Sequence, residues 1–250
     1  MYLNFYILII IILNKKSKFF DQNDKSCKIL ESNYECKGMK LILFFLGASI
    51  GSFLALVAER YPNESLLHPR SHCQQCQHSL AFIDLVPLLS ALILRFRCRH
   101  CRQRFSAASF HMEWTSGLLF PLLPPTPSHL PTHILLLMGQ LLSLFDLKSY
   151  AYPFSYWLFF QPYFWWTFGI SWTYLAWCSL AILFYRVSLG VGEGDALYLA
   201  TASYLISLDM WPCLFLVASL IGLGWAWLKK TDRVPFVPCL HLAVCLLTMQ

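Results

Sequence analysis

Long apolar segments, separated by short polar or proline-containing turns, follow one another along most of the chain. A membrane-spanning helix needs about 20 predominantly apolar residues, and the segments from residue 41 onward are typical of such helices. In the first of them, Gly47 and Gly51 lie one turn apart, which favours close packing against a second helix. The pattern predicts an all-α membrane protein with about eight transmembrane helices, at residues 41–58, 110–123, 132–145, 152–168, 172–185, 196–208, 214–228 and 237–249.

One long polar segment interrupts this series after the first predicted span. Residues 60–109 carry seven arginines and only two acidic residues, Glu64 and Asp84. Because basic loops remain on the cytoplasmic side of a membrane, this loop is expected to be cytoplasmic. Counting the spans onward from it brings the end of the third span and the turn before the sixth span to the same side. The domain order is then a first transmembrane helix at 39–59, the loop at 60–109 and a transmembrane domain of seven helices at 110–250.

The first 38 residues do not fit this arrangement. Their apolar run, at 2–13, is short for a span and is followed by three lysines, which would hold the next residues inside. The count of eight spans instead needs the chain to enter residue 41 from outside. We therefore predict that Met39 is the authentic start and that residues 1–38 are a dispensable extension. A genuine signal-anchor is the alternative.

Composition agrees with a membrane protein and argues against a nucleic-acid partner. Hydrophobic residues make up 57% of the 250-residue chain and charged residues only 13%, which is too apolar for a soluble globular domain. The formal net charge is +6, but the basic residues gather in loops and near the ends of the chain. That distribution is typical of a protein embedded in a lipid bilayer.

Four of the ten cysteines form two Cys-x-x-Cys pairs in the basic loop, with 21 residues between the pairs. A cytoplasmic loop is reducing, so paired cysteines there bind metal more often than they form disulfides. Two such pairs supply the four thiolates of a structural zinc site and leave no position open for water. The alternative is four incidental cysteines. The predicted zinc ligands are Cys73, Cys76, Cys98 and Cys101.

Two aspartates lie at the ends of predicted spans, where an ionisable side chain is costly and therefore points to function. Asp146 ends the third span, and Asp195 follows Gly190, Gly192 and Gly194. Three glycines so close together indicate a sharp turn or a close approach of another segment. Two carboxylates on one side of the membrane can share a proton and activate water for peptide hydrolysis. The alternative is that each aspartate only caps a helix.

Two further acids lie near these positions. Glu193 belongs to the same glycine-rich turn and competes with Asp195 for the role of second acid. Glu113 lies near the start of the second span, at the cytoplasmic boundary. It fits either substrate binding or a charge pair with an arginine of the loop.

In this order and topology, the motifs resemble the type IV prepilin leader peptidases, from about residue 39 to the end of the chain. The sequence at 47–54 is similar to the family's opening span, and the loop cysteines are similar to its zinc-binding loop. Four positions depart from the family pattern, and none is one of the two aspartates: Ala55, Phe154, Leu197 and Val237. The remaining matching motifs are Glu113 with 117–120, Asp146 with Pro153, Gly192-x-Gly194-Asp195, and Pro235-Phe236-Val237-Pro238.

The resemblance implies a GxGD-type aspartic endopeptidase in the bacterial inner membrane, with Asp146 and Asp195 as catalytic residues facing the cytoplasm. Its implied substrates are type IV prepilins, or pilin-like proteins of competence and secretion systems, cut after a glycine that follows a basic leader. The family also implies N-methylation of the new N-terminus from S-adenosylmethionine. The resemblance also implies supporting roles in the active site for Gly192, Gly194, Pro153 and Glu113. The rival reading is a transporter or a non-enzymatic membrane protein with a zinc-stabilised loop.

Overall fold

Helices form most of the structure, a computed structural model that describes residues 37–61, 72–73, 75–81, 84, 86–104, 107–150, 152–187, 192–231 and 233–248. Within those ranges, extended structure is limited to isolated bridges, as the all-α prediction requires. The predicted extension at 1–38 lies outside the described residues except for its last two positions. The chain divides into two compact units, one ending at Pro125 and the other beginning at Thr126.

Every predicted span corresponds to a helix. The first unit contains α1 (Lys37–Arg60), a short α2 (Leu89–Ile93) in the loop, and α3 (Ala107–Leu122). The second unit contains α4 (Leu130–Ser149), α5 (Phe154–Phe168), α6 (Trp172–Val187), α7 (Glu193–Ala202), a 3₁₀ turn (Leu208–Met210), α8 (Trp211–Lys229) and α9 (Phe236–Thr248).

Three of the described helices are long and apolar enough to cross a membrane, namely Gly38–Arg60, Leu130–Ser149 and Leu208–Lys229. The topology of eight spans stays a prediction. The helix that differs most from its predicted span is α7. It has ten residues and is therefore about 15 Å long, half the thickness of a bilayer core.

The early end of α7 has a local cause. The Tyr204 N–H donates to the carbonyl of Thr201 at 3.3 Å, and the Leu205 N–H donates to the carbonyl of Ala202 at 3.0 Å. Such i to i−3 bonds tighten the backbone and end the α-helical ladder. The span expected at 196–208 is thus a short helix followed by turns.

In the first unit, α1 and α3 pack with their backbones in close contact. A Cβ atom added at Gly47 would overlap the carbonyl oxygen of Ser116, and one at Gly51 would overlap that of Met112. On the opposite helix, a Cβ at Gly117 would lie 3.0 Å from the ring of Phe44. The predicted small-residue face of the first helix is therefore confirmed, and larger side chains there would force the helices apart.

In the second unit, α7 lies at the centre and contacts α4, α5, α6 and α9. Two groups of buried polar side chains hold it in register. The Trp157 indole N–H and the Gln161 amide on α5 donate to the Thr201 hydroxyl at 3.0 and 3.1 Å, and Tyr198 shares a hydrogen bond of 3.1 Å with His241 on α9. Since a buried polar group without a partner is costly, these bonds fix the position of α7. By fixing α7, these hydrogen bonds also fix the acidic residues in the first turn of that helix.

Candidate metal cluster and candidate active site

The four loop cysteines lie together and fit a tetrahedral metal ion. Their sulfur atoms are all within 4.8 Å of one another, with Cys73 and Cys101 at 3.7 Å and Cys76 and Cys98 at 3.9 Å. A disulfide would need about 2.05 Å. Four sulfurs that each lie about 2.3 Å from a central zinc ion are about 3.8 Å apart. This donor set, with two buried and two exposed cysteines, could therefore bind a metal.

The two cysteine pairs are held by the same turn. The N–H groups of Cys73 and Cys98 each donate to the carbonyl five residues ahead, at 2.9 and 2.8 Å. Gln77 and Arg102, four residues after those cysteines, have positive φ angles of 56° and 55° and donate back to the cysteine carbonyls. Hydrogen bonds, chiefly that from the backbone N–H of Cys76, lower the pKa of the Cys73 thiol, which favours the thiolate that binds metal, whereas the coupled thiol of Cys101 has a raised pKa. Sequence reasoning missed this repeat because the two turns share little besides their cysteines.

Glu113 attaches the loop to the helices of the first unit. Its carboxylate, 8% exposed, accepts a hydrogen bond of 2.7 Å from the N–H of Leu88 and a second one from the Ser52 hydroxyl. Among the described residues of the loop, Arg99 pairs with Asp84 at 2.6 Å. The two roles expected for Glu113, substrate binding and a charge pair with a loop arginine, stay predictions.

A cavity of about 520 Å³ lies in the first unit, between α1, α3 and the loop. Its size is within the range of small-molecule sites, about 300–1,000 Å³. The lining mixes carboxylates with aromatic and hydroxyl side chains, including Ser52, Glu59, Asp84, Phe110 and Glu113. It can therefore hold a ligand that has both polar and apolar parts.

Asp146 lies in the last turn of α4, where its carboxylate meets the beginning of α9. The N–H of Val237 donates to Asp146 Oδ2 at 3.2 Å. Val237 is the second residue of α9, and a helix N-terminus favours a negative charge. The Pro235–Pro238 motif therefore acts on Asp146 through a backbone N–H, which a valine supplies as well as a glycine would.

Asp195 lies in the first turn of α7 and comes within electrostatic range of Asp146. The backbone N–H of Gly192 donates to its carboxylate. The buried thiol of Cys239 on α9 interacts with both carboxylates, so the three groups form one cluster. Glu193 is exposed, and the structure therefore brings Asp195, rather than its neighbour, to Asp146.

Gly194 leaves room for an aromatic ring that sequence reasoning did not single out. A Cβ atom at Gly194 would overlap the ring of Tyr152 and lie 2.7 Å from its Cβ. Tyr152 lies in the turn between α4 and α5, directly before the buried Pro153, which caps α5. The glycines of the turn were the only signal of this contact, and they did not indicate which residue approaches.

We expect Gly194→Ala to destabilise the second unit and to impair any activity of the aspartate pair. Overpacking of this kind costs typically 1–3 kcal/mol, because the ring or the helix must move. Gly224→Ala is the matched control, since a Cβ at Gly224 on α8 would meet nothing within 4 Å and alanine favours a helix. Thermal unfolding in detergent checks both variants. Equal melting temperatures for Gly194→Ala and the parent would contradict the contact.

Comparison with known proteins identifies the family. The model of the bacterial peptidase A24 N-terminal domain matches residues 45–124. The prepilin leader peptidase/N-methyltransferase of Myxococcus xanthus is 46% identical over 81 residues, which are 32% of this chain and 24% of that protein. The type 4 prepilin-like proteins leader peptide-processing enzyme of Escherichia coli is 30% identical over 78% of this chain and 88% of its own length. The prepilin leader peptidase/N-methyltransferase of Bacillus subtilis is 25% identical over 81% and 90%.

Helices of membrane-spanning length, together with these relatives, define the class of protein as a helical membrane peptidase. The chain belongs to the prepilin leader peptidase family, and the resemblance inferred from the motifs is thereby confirmed. No solved structure matches the chain significantly.

Proposed function

We propose that the protein is an aspartic endopeptidase that removes the leader from type IV prepilins or pilin-like proteins. The observation that carries this proposal is that two carboxylates, Asp146 and Asp195, lie within electrostatic range of each other at the ends of two helices of the second unit. Each carboxylate accepts a backbone hydrogen bond, from Val237 and from Gly192. Such bonds orient the two acids without neutralising them.

The pair can hydrolyse a peptide bond by sharing one proton. Two neighbouring carboxylates do not both ionise easily, so one stays protonated while the other is charged. The charged aspartate takes a proton from a water molecule held between the two, and the protonated one polarises the scissile carbonyl. The resulting tetrahedral intermediate then collapses as a proton passes to the leaving amine. Both aspartates are needed at each of these steps.

The proposed substrate has a short basic leader, a glycine before the cut and an apolar helix after it. An apolar helix reaches the site within the bilayer, while the basic leader remains at the cytoplasmic face. The seven arginines at 60–109 support a cytoplasmic position for the loop. They repel a basic leader but attract anionic lipid headgroups, which suits a loop at the membrane surface.

The loop is proposed to hold one structural zinc ion through Cys73, Cys76, Cys98 and Cys101. All four ligands come from the protein, so the ion has no open position for a substrate or water. When bound, the metal crosslinks the two turns of the loop. It takes no part in the hydrolysis.

N-methylation of the new N-terminus is proposed as a second activity, with S-adenosylmethionine as the methyl donor. The names of the Myxococcus xanthus and Bacillus subtilis relatives include this activity. The observation in this chain that favours it is the cavity of about 520 Å³ in the first unit, bordered by Glu59 and Glu113. The carboxylates suit the positive charge of a sulfonium donor, Arg60 and Arg104 in the same lining suit the carboxylate of its amino-acid part, and the aromatic lining suits an adenine ring.

The rival reading, a transporter, uses intramembrane acids as ion or proton sites. Transport acids lie near the middle of the bilayer. Asp146 is in the last turn of α4, two residues before Lys148, and Asp195 is in the first turn of α7. Positions at helix ends favour a site at the membrane surface.

One reconstitution tests these proposals together. Purified protein in liposomes receives a pilin-like peptide with a basic leader, a glycine and an apolar helix, with or without S-adenosylmethionine, and the products are weighed by mass spectrometry. We expect cleavage after the glycine in both samples, and the mass of one added methyl group only with the donor. An intact peptide in the presence of folded protein would refute the peptidase. A cut but unmodified product would refute the second activity alone.

A further inference from the structure

Tyr152 has a buried hydroxyl group within electrostatic range of Asp195, and this group has no hydrogen-bond partner among the described residues. Its hydroxyl oxygen is shielded from solvent, and no described protein atom donates to it or accepts from it. The group lies within electrostatic range of Asp195. Burying a hydroxyl without a partner is costly, and in native proteins such a group calls for an explanation.

The position of the ring is fixed from two sides. Gly194 leaves the space that the ring fills, and Pro153 directly after it fixes the entry into α5. The ring therefore cannot easily turn away to bring its hydroxyl to water. The contact with Gly194 also ties Tyr152 to the turn that carries Asp195.

A phenol carries its proton at neutral pH, so the Tyr152 hydroxyl can donate a hydrogen bond. The protonated aspartate gives the scissile carbonyl oxygen one hydrogen bond, but that oxygen has two lone pairs and can accept a second donor as it becomes negative. A donor held in place before the reaction is the usual means of stabilising that charge. The missing partner of Tyr152 is then an atom of the substrate.

We propose that Tyr152 is a further catalytic residue, whose hydroxyl donates a hydrogen bond to the scissile carbonyl oxygen of the substrate in the tetrahedral intermediate. No proton is transferred to or from the phenol in this step. The proposal rests on the peptidase function proposed above. It also explains why a glycine is needed at position 194, because a side chain there would displace the ring that carries the donor.

The test compares three variants for cleavage of the pilin-like peptide. Tyr152→Phe keeps the ring and removes only the hydroxyl, whereas Tyr152→Leu removes the ring as well. Tyr150→Phe is the control, since the side chain of Tyr150 is 58% exposed in the same turn. For Tyr152→Phe we expect kcat to fall about 10²- to 10³-fold, in line with the loss of one oxyanion donor. Its KM should stay within about twofold, because the bond strengthens only as the intermediate forms.

A second measurement separates catalysis from packing. If the hydroxyl only fills space, Tyr152→Phe cleaves at the parent rate and Tyr152→Leu alone is impaired, which would overturn the proposal. If it acts as proposed, Tyr152→Phe is slow while its melting temperature equals or exceeds that of the parent, because an unpaired hydroxyl has been removed. A non-cleavable peptide with a secondary alcohol in place of the scissile carbonyl should also bind Tyr152→Phe about tenfold more weakly than the parent.

The outcome is distinguishable from failure of the peptidase itself. If Asp146→Asn and Asp195→Asn are inactive and Tyr152→Phe is normal, only the role of Tyr152 is wrong. If the aspartate variants cleave at the parent rate, the proposed function is wrong as a whole.

Discussion

Asp146→Asn and Asp195→Asn should each abolish leader cleavage while the protein remains folded in the membrane. The expected loss in kcat is on the order of 10⁴-fold, as for an essential acid in other peptidases. Asparagine keeps the shape of the side chain and still accepts the hydrogen bond that Val237 gives to Asp146. It also removes the repulsion between the two carboxylates, so the melting temperature should not fall.

The double variant should be no slower than either single variant, because residues that act as a unit do not lose activity additively. Glu193→Gln is the matched control. It removes an acid from the same first turn of α7, but one that is exposed, and cleavage should stay within about twofold of the parent. The measurement is the cleavage rate of the pilin-like peptide, normalised to folded protein. Full-rate cleavage by either single aspartate variant would exclude the dyad.

Loss of a loop cysteine is expected to lower zinc content and protein abundance together. Cys73→Ser removes one of the two buried ligands, and the loop depends on the metal because the metal-binding energy of such a site is folding energy. Apparent binding energies for structural zinc reach about 10–16 kcal/mol. Elemental analysis of purified protein should find one zinc ion per chain in the parent and much less in Cys73→Ser.

Cys213→Ser is the control for this prediction, since Cys213 is an exposed cysteine on α8 and lies outside the cluster. It should leave zinc content and abundance unchanged. A strong chelator should mimic Cys73→Ser by destabilising the loop. Purified parent protein without zinc, or normal stability after the loss of two of the four loop cysteines, would show that the site is not a structural zinc site.

The sequence located the helices of both units because burial in lipid or in a helix bundle imposes a long apolar run that is visible residue by residue. The predicted first span, 41–58, lies inside α1, and the predicted fifth span, 172–185, begins with α6 at Trp172. The prediction was poorest at α7. There the α-helix ends in backbone hydrogen bonds to carbonyls three residues back, such as that of Leu205 to Ala202, and hydrophobicity does not report them.

The loop cysteines were also predictable in part. Their spacing alone indicated a shared metal site, since a Cys-x-x-Cys turn brings two sulfurs to one point. The sequence did not reveal the identical backbone turns around Cys73 and Cys98, because positive φ angles at Gln77 and Arg102 have no signature in those residue types.

What the sequence by itself determined was the family, the helical membrane fold and the identity of the two aspartates as candidates. The tertiary structure alone decided what surrounds them. The Val237 N–H that binds Asp146 is 91 residues away in the chain, and every residue type except proline offers such a donor. The contact of the Tyr152 ring with Gly194 likewise joins two segments that are far apart in the sequence, the turn before α5 and the beginning of α7. Local patterns record the preferences of each segment, whereas contacts of this kind exist only once the helices have packed.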